Sequence, residues 1–131
     1  MKKVFICSPY RGDIEKNTEL AKHIGRLAAV CEYVPVIPHM LFPQFLHDSD
    51  PKERIMELCM GAELLKCCDS LWIIGNTITK GMHFVIDKAK EWNIPIRLYD
   101  EKGERIYGET ILIDDRVSEE LTEILRGAHL E

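Results

Sequence analysis

The stretch Lys2-Lys3-Val4-Phe5-Ile6-Cys7-Ser8-Pro9-Tyr10-Arg11-Gly12 decides the fold. An apolar run of strand length stops at a Ser-Pro turn. Beyond it Leu20, Ile24, Leu27, Ala28 and Cys31 recur at three and four residues, the stripe of a helix over about 13–32. Strand, turn and helix open a parallel α/β sheet, and the turn after a strand in such a sheet lies at the carboxyl edge, where ligands bind. A hydroxyl (Ser8), a phenol (Tyr10) and a guanidinium (Arg11) in that turn suit a polar small molecule. The plainer account is a turn in which Pro9 fixes φ and Gly12 relaxes the backbone.

The same alternation continues along the chain. Tyr33-Val34-Pro35-Val36-Ile37 reads as a second strand, ended by Pro38-His39-Met40. A stretch through Pro43, Phe45 and Leu46 has no period, as in a loop that covers a site or simply packs. Asp50-Pro51-Lys52-Glu53 supplies an N-cap, a proline at the first helical position and an acid placed for a capping box, opening a helix that turns Ile55, Leu58, Ala62 and Leu65 inward. Ser70-Leu71-Trp72-Ile73-Ile74-Gly75 is a continuous apolar run, the mark of a strand buried on both faces. After the polar turn Asn76-Thr77-Ile78-Thr79-Lys80-Gly81, a helix marked by Phe84, Val85, Ala89 and Trp92 stops at Asn93. Ile96-Arg97-Leu98-Tyr99 is another strand, Asp100 to Glu104 a turn, Ile111-Leu112-Ile113 a short edge strand, and a last helix starts at Ser118. These elements predict a three-layer, doubly wound, mostly parallel α/β sheet in a single domain over 1–131.

Composition narrows the function. A chain of 131 residues, 46% hydrophobic and 30% charged, is sized for one core. Its net charge of -5, with cations scattered among acids, argues against a nucleic-acid polymer as partner. No apolar run approaches the ~20 residues of a membrane span, and the N-terminus lacks a signal pattern, so a cytoplasmic protein is expected. The five cysteines are odd in number. Cys7, Cys31 and Cys59 lie in apolar patterns and read as buried thiols of a reducing compartment, while Cys67-Cys68 matches no zinc spacing.

If the strands ending at Cys7 and Gly75 are neighbours, the Ser8–Gly12 and Asn76–Gly81 turns share one crevice. The second turn feeds a helix N-terminus, whose free N–H groups favour a phosphate or carboxylate. Asn76, Thr79, Lys80, Gly81 and Met82 are its candidate contacts; the plainer roles are an N-cap for Thr79 and packing for Gly81. Familiar enzyme loops fail on spacing. Arg11 follows Cys7 too closely for a phosphatase loop, in which Pro9 also removes an N–H, and Ile6-Cys7-Ser8 stand where a receiver domain needs acids for magnesium. Neither GxxxxGK[ST] nor GxGxxG occurs, and His23, His39, His47, His83 and His129 are too dispersed for a metal site, so no cofactor or metal is expected.

With both turns in view, Phe5-Ile6-Cys7-Ser8-Pro9-Tyr10-Arg11-Gly12, Asn17, Pro38-His39, Arg54, Cys68-Asp69-Ser70-Leu71-Trp72-Ile73-Ile74-Gly75 and Lys80-Gly81-Met82 resemble the nucleoside 2-deoxyribosyltransferase-like superfamily. The resemblance covers about residues 3–99 and is closest to a small phage- and bacterium-associated branch. It implies a Rossmann-like (flavodoxin-like) sheet, usually a homodimer, that binds a nucleoside or nucleotide at these turns. It also implies exchange or hydrolysis of the N-glycosidic bond by a glutamate nucleophile assisted by an aspartate. The positions expected for those acids fall on Val85 and Gly61. Valine cannot hold an oxocarbenium-like carbon, and Asp87 lies about 200° further round the helix.

Two functions of different class follow. One is a transferase or glycosidase with a rearranged catalytic group, for which His83, Tyr10 and His39 are candidates. The other is a non-catalytic sensor or sequestering protein that keeps a nucleotide pocket built from Ser8, Pro9, Tyr10, Arg11, Gly12, His39, Asn76, Thr79, Lys80, Gly81 and Met82. Each has a plainer alternative: an ion pair for Arg11 or Arg54, core packing for Tyr10, a structural hydrogen bond for His39, a solvated helix position for His83 and a cap for Asn17.

Overall fold

The strand β1 (Lys3–Cys7) lies inside the main sheet, paired in parallel with β2 (Val34–Val36) on one side and β3 (Ser70–Ile74) on the other. The structure is a computed structural model that describes residues 1–9, 12–75, 77–78, 80–106 and 112–113. In it β3 pairs in parallel with β5 (Ile96–Tyr99), and β5 pairs antiparallel with β6 (Arg105–Ile106), giving the order β2-β1-β3-β5-β6. A second, two-stranded parallel sheet joins β4 (Thr77–Ile78) to β7 (Leu112–Ile113). The helices are α1 (Ile14–Val30), α2 (Pro51–Lys66) and α3 (Lys80–Glu91). Among the described residues no helix is long and apolar enough to cross a membrane.

The alternation of the strands builds two cores. Phe5, Cys7, Leu71, Ile73, Ile96 and Leu98 face one side and pack with Leu65, Cys68, Met82, Ile86 and Ala89 from α2, α3 and their ends. Val4, Ile6, Trp72 and Ile74 face the other side and pack with Ile24 and Ala28 of α1. Side chains buried on both faces are why the β1 and β3 segments read as unbroken apolar runs. Each fully buried aliphatic chain stabilises by about 1.5–3 kcal/mol. The three layers agree with the doubly wound fold expected from the alternation.

Local chemistry sets the helix ends. Asp13 caps α1 by accepting from the Lys16 N–H, and Asp50 caps α2 by accepting from the Lys52 N–H with Pro51 in the first turn. The return bond of a capping box does not form, because the Asp50 N–H donates to the His47 carbonyl. α1 and α3 both close in Schellman motifs: Glu32 and Asn93 adopt left-handed φ values of 66° and 56°, Tyr33 N–H donates to Ala28 C=O, and Ile94 N–H donates to Ala89 C=O. Asp69 accepts from the Lys3 N–H at 2.7 Å, tying the entry of β3 to that of β1.

Several expectations need correction. Cys31 and Cys59 are exposed, not buried, because the inward stripe of α1 is Ala21, Ile24, Gly25 and Ala28, and that of α2 ends in Gly61 and Leu65. Ile55 is 60% exposed for the same reason. In α3, which Phe84, Val85, Ala89 and Trp92 mark in the sequence, the fully buried residues are Met82, Ile86 and Ala89, with Val85 and Trp92 packed against that core. The segment after Asp100 is more than a turn: Asp100 Oδ1 accepts from the N–H groups of Lys102 and Glu104, Gly103 takes φ 89°, and the chain returns as β6. The helix expected from Ser118 lies outside the described residues.

Candidate functional site

From β1 the chain winds to β2 on one side and, after α2, to β3 on the other, so the switch point lies between β1 and β3. Ligand crevices of doubly wound sheets form at the carboxyl ends of such a pair. Here both ends carry backbone shaped for close approach. Gly75 follows β3 with φ 104°, its N–H donates to Tyr99 C=O at 2.8 Å, and a Cβ placed on it would lie 3.8 Å from Pro9 Cγ. A side chain at position 75 is strained at that φ, although its Cβ would make only ordinary contact with Pro9. Pro9 of the first turn and Gly75, which precedes the second, are therefore neighbours at this edge.

Ser8 and His39 form the polar centre of this edge. Ser8 leaves β1 only 7% exposed, and His39 sits in a 3₁₀ turn (Pro38–Met40) directly after β2. Because β1 and β2 are paired, the two side chains meet, with Ser8 Oγ 3.2 Å from His39 Nε2. Burial pushes the imidazole down to about 4, so the ring is neutral at physiological pH. A neutral ring offers one donor and one acceptor, and the hydroxyl takes the complementary part. His39 thus serves hydrogen bonding rather than charge, and a phosphate here must find its countercharge elsewhere.

Cys7, the last residue of β1, is buried, and desolvation lifts its thiol to about 12. A thiol held protonated is no nucleophile, which agrees with the rejection of a phosphatase loop. Cys68 is also buried and raised to about 11, first by desolvation and then by Cys67 and Asp69. We expect an aromatic disulfide reagent to modify Cys31, Cys59 and Cys67 quickly in the native protein, and Cys7 and Cys68 only on unfolding. Rapid labelling of all five in a native thiol titration would contradict the burial.

Two helices start at this edge. The 3₁₀ turn that carries His39 rests against α2. On that helix Arg54 Nη1 lies 3.6 Å from Glu57 Oε2, the ion pair expected of Arg54. The Glu57 side chain is only 9% exposed. Four residues on, Gly61 is buried, yet no heavy atom of the described residues lies within 4 Å of the place its Cβ would occupy. The other is α3, where Lys80 and Gly81 occupy the first helical positions, whose N–H groups have no intrahelical acceptor.

The sequence candidates therefore divide. Ser8, Pro9 and His39 come together, and Met82 is buried in the core that includes Cys7. Gly12 takes a left-handed φ of 97° just before α1. His83 is partly exposed in the first turn of α3, and Val85 packs against the core. Tyr10, Arg11, Asn76 and Thr79 lie outside the described residues, and Lys80 and Gly81 are described only as helix backbone. Glu57 escapes a reading of the sequence that places Ile55, Leu58, Ala62 and Leu65 on the inner stripe. The spacing of four that joins Glu57, Gly61 and Leu65 is the signal that could have found it.

A doubly wound α/β domain with Ser8 and His39 paired at the carboxyl edge, beside its β1/β3 switch point, is the class that fold and site define. The chain belongs to the family described as Domain of unknown function (DUF7768), which matches residues 2–99. No curated protein matches it. Among solved structures it is similar to a 2-deoxyribosyltransferase from Bacillus psychrosaccharolyticus, with a TM-score of 0.64 and 13% identity over 83% of this chain and 82% of that one. It is also similar to a 2-desoxiribosyltransferase from Leishmania mexicana, with a TM-score of 0.59 and 13% identity over 99% and 100% of the two chains. A conserved protein from Enterococcus faecalis V583 matches with a TM-score of 0.53 and 20% identity over 76% of this chain and 63% of that one. The fold expected from the sequence resemblance is therefore shared with nucleoside 2-deoxyribosyltransferases over most of the chain.

Proposed function

We propose that this domain binds a nucleoside or nucleoside monophosphate at the carboxyl edge, on a deoxyribosyltransferase-type scaffold that lacks the usual glycosyl chemistry. The observation that carries the reading is the meeting of Ser8 with His39, a hydrogen-bonding centre at the carboxyl edge beside the switch point. A neutral His39 and the Ser8 hydroxyl suit the uncharged donors and acceptors of a base or sugar. The backbone N–H groups at the start of α3, with Lys80 and Arg11, suit a 5′-phosphate. Asn76, Thr79 and Gly81 belong to the same phosphate side, and Tyr10 to stacking on the base. Val85 and Gly61 stand where the resemblance expects the two acids, so binding without turnover follows. In this reading the protein acts in the cytoplasm as a homodimer whose neighbour completes the pocket, sensing or sequestering a nucleotide-derived ligand.

The test is calorimetric titration of the purified protein with nucleosides, 2′-deoxynucleosides and their 5′-monophosphates, paired with chromatography of the same mixtures. We expect saturable binding of at least one ligand with no free base above the protein-free control. Absence of binding across the panel overturns the reading, and base release overturns its non-catalytic part.

A further inference from the structure

α2 carries apolar side chains on both of its faces. The inner stripe ends in Gly61 and Leu65, yet Ile55 and Met56 are 60% and 48% exposed, and Cys59, one turn on, is exposed as well. A helix at the surface of a globular domain ordinarily turns charged and polar groups outward. Here the outward residues follow another pattern. Lys52, Met56, Cys59, Glu63 and Lys66 are all exposed and are spaced by four, three, four and three, the seam of a helix that packs along a second helix.

The order of charges along this seam selects the partner. Lys52 stands in the first turn of α2, where the helix dipole disfavours a cation, and Glu63 stands about three turns further on. A second copy laid antiparallel across a two-fold axis brings Lys52 against Glu63 of the partner subunit, and the symmetry makes the match occur twice. Met56 then lies against Cys59 of the partner subunit at the centre of the seam. A parallel arrangement sets like charge on like charge at both positions and is repelled. Within its own chain Glu63 has only the exposed Lys66 ammonium as ion-pair partner, 3.4 Å from Oε1, a pair that contributes little. A carboxylate accepts at two oxygens, so this pair and one between subunits coexist.

We propose that the outer face of α2 is a self-complementary interface on which a second copy of this chain seats its own α2 antiparallel. The inference rests on the homodimer of the proposed function, to which it gives a contact face, and is independent of the ligand. It also accounts for Ile55, which the sequence turns inward and the single chain leaves outside: the second copy takes it out of water. One helix seam is small beside the roughly 800 Å² that a standard interface removes from each partner, so the expected dissociation constant is about micromolar.

The test is sedimentation of the full chain from well below to well above that concentration, where the wild type is expected to pass from monomer to dimer. Lys52→Glu and Glu63→Lys each set two pairs of like charges face to face and are expected to weaken the dimer about tenfold. The double variant Lys52→Glu/Glu63→Lys is expected to regain most of that loss. The two residues lie about 16 Å apart along one helix, so a rescue reports contact between chains. Met56→Lys, at an exposed position, is expected to fold as wild type in dilute solution and stay monomeric. A thiol reagent gives a second readout, labelling Cys59 as fast as Cys31 in dilute protein and more slowly as the dimer forms. A wild type that stays monomeric overturns the interface together with the homodimer, and slow labelling of Cys59 in that monomer shows that another part of its own chain covers the face. A dimer indifferent to all four variants overturns the α2 contact alone and leaves the homodimer standing. Ligand binding is read by its own titration and is decided by none of these outcomes.

Discussion

Between pH 7.5 and pH 4 the wild-type domain is expected to lose up to about 3 kcal/mol of folding stability that a His39→Gln variant does not lose. Burial lowers the His39 imidazole from its ordinary 6.5 to about 4. The unfolded chain therefore takes up a proton near pH 6.5 that the folded protein refuses until about pH 4. Protons drive whichever state binds more of them, which here is the unfolded one. The contribution is full above pH 6.5 and is lost as the pH falls through the folded value. Each pH unit between the unfolded and folded values is worth about 1.36 kcal/mol, and partial exposure of the ring makes the resulting figure of about 3 kcal/mol an upper value. That is large against a typical domain stability of about 5–15 kcal/mol. Glutamine keeps a donor and an acceptor for Ser8 Oγ but does not titrate. Urea denaturation of both proteins at pH 7.5, 6, 5 and 4 reads the difference, and parallel stability curves would show that His39 is not held neutral by the fold.

The same residue shows what a sequence can and cannot announce. The place of His39 at the carboxyl edge was legible because Pro38-His39 ends a strand, and chain order alone puts the ends of parallel strands on one edge. Its partner was not, since pairing with Ser8 depends on β1 and β2 being neighbours in the sheet. The buried strands were readable for a simple reason: a strand covered on both faces must be apolar throughout, as in Leu71-Trp72-Ile73-Ile74. β4 and β6 were missed because two residues cannot carry a period. Cys31, Ile55 and Glu57 show the opposite failure. Ile55 and Glu57 are about 200° apart on α2, and composition favours the isoleucine for the inside, yet the structure buries the acid and exposes the isoleucine. A stripe chosen by hydrophobicity goes wrong where an acid takes the inward position.

The largest change in activity is expected from putting acids back at the two positions where the resemblance calls for them. Wild type, Gly61→Asp and Val85→Glu are each expected to release no base from nucleosides or their 5′-monophosphates above the protein-free control, whereas the double variant releases it at least about tenfold faster than that control. Either acid alone is insufficient, because the glutamate must hold the anomeric carbon while the aspartate assists the base. The structure makes the two substitutions unequal. Gly61→Asp places its Cβ where no heavy atom of the described residues lies within 4 Å and replaces the weaker helix former, but it buries a second carboxylate one turn from Glu57. Val85→Glu exchanges a valine packed against the core for a carboxylate, at a cost of about 1–3 kcal/mol. The double variant should therefore melt below wild type, and its assay belongs at low temperature. Chromatographic detection of free base decides the matter. Release by the wild type would mean that another carboxylate already does the work, and Glu57, buried one turn from Gly61, would then be the first group to neutralise. A folded double variant as inert as the wild type would show that position 85 does not face the ligand, and would move the search for the ancestral nucleophile off α3.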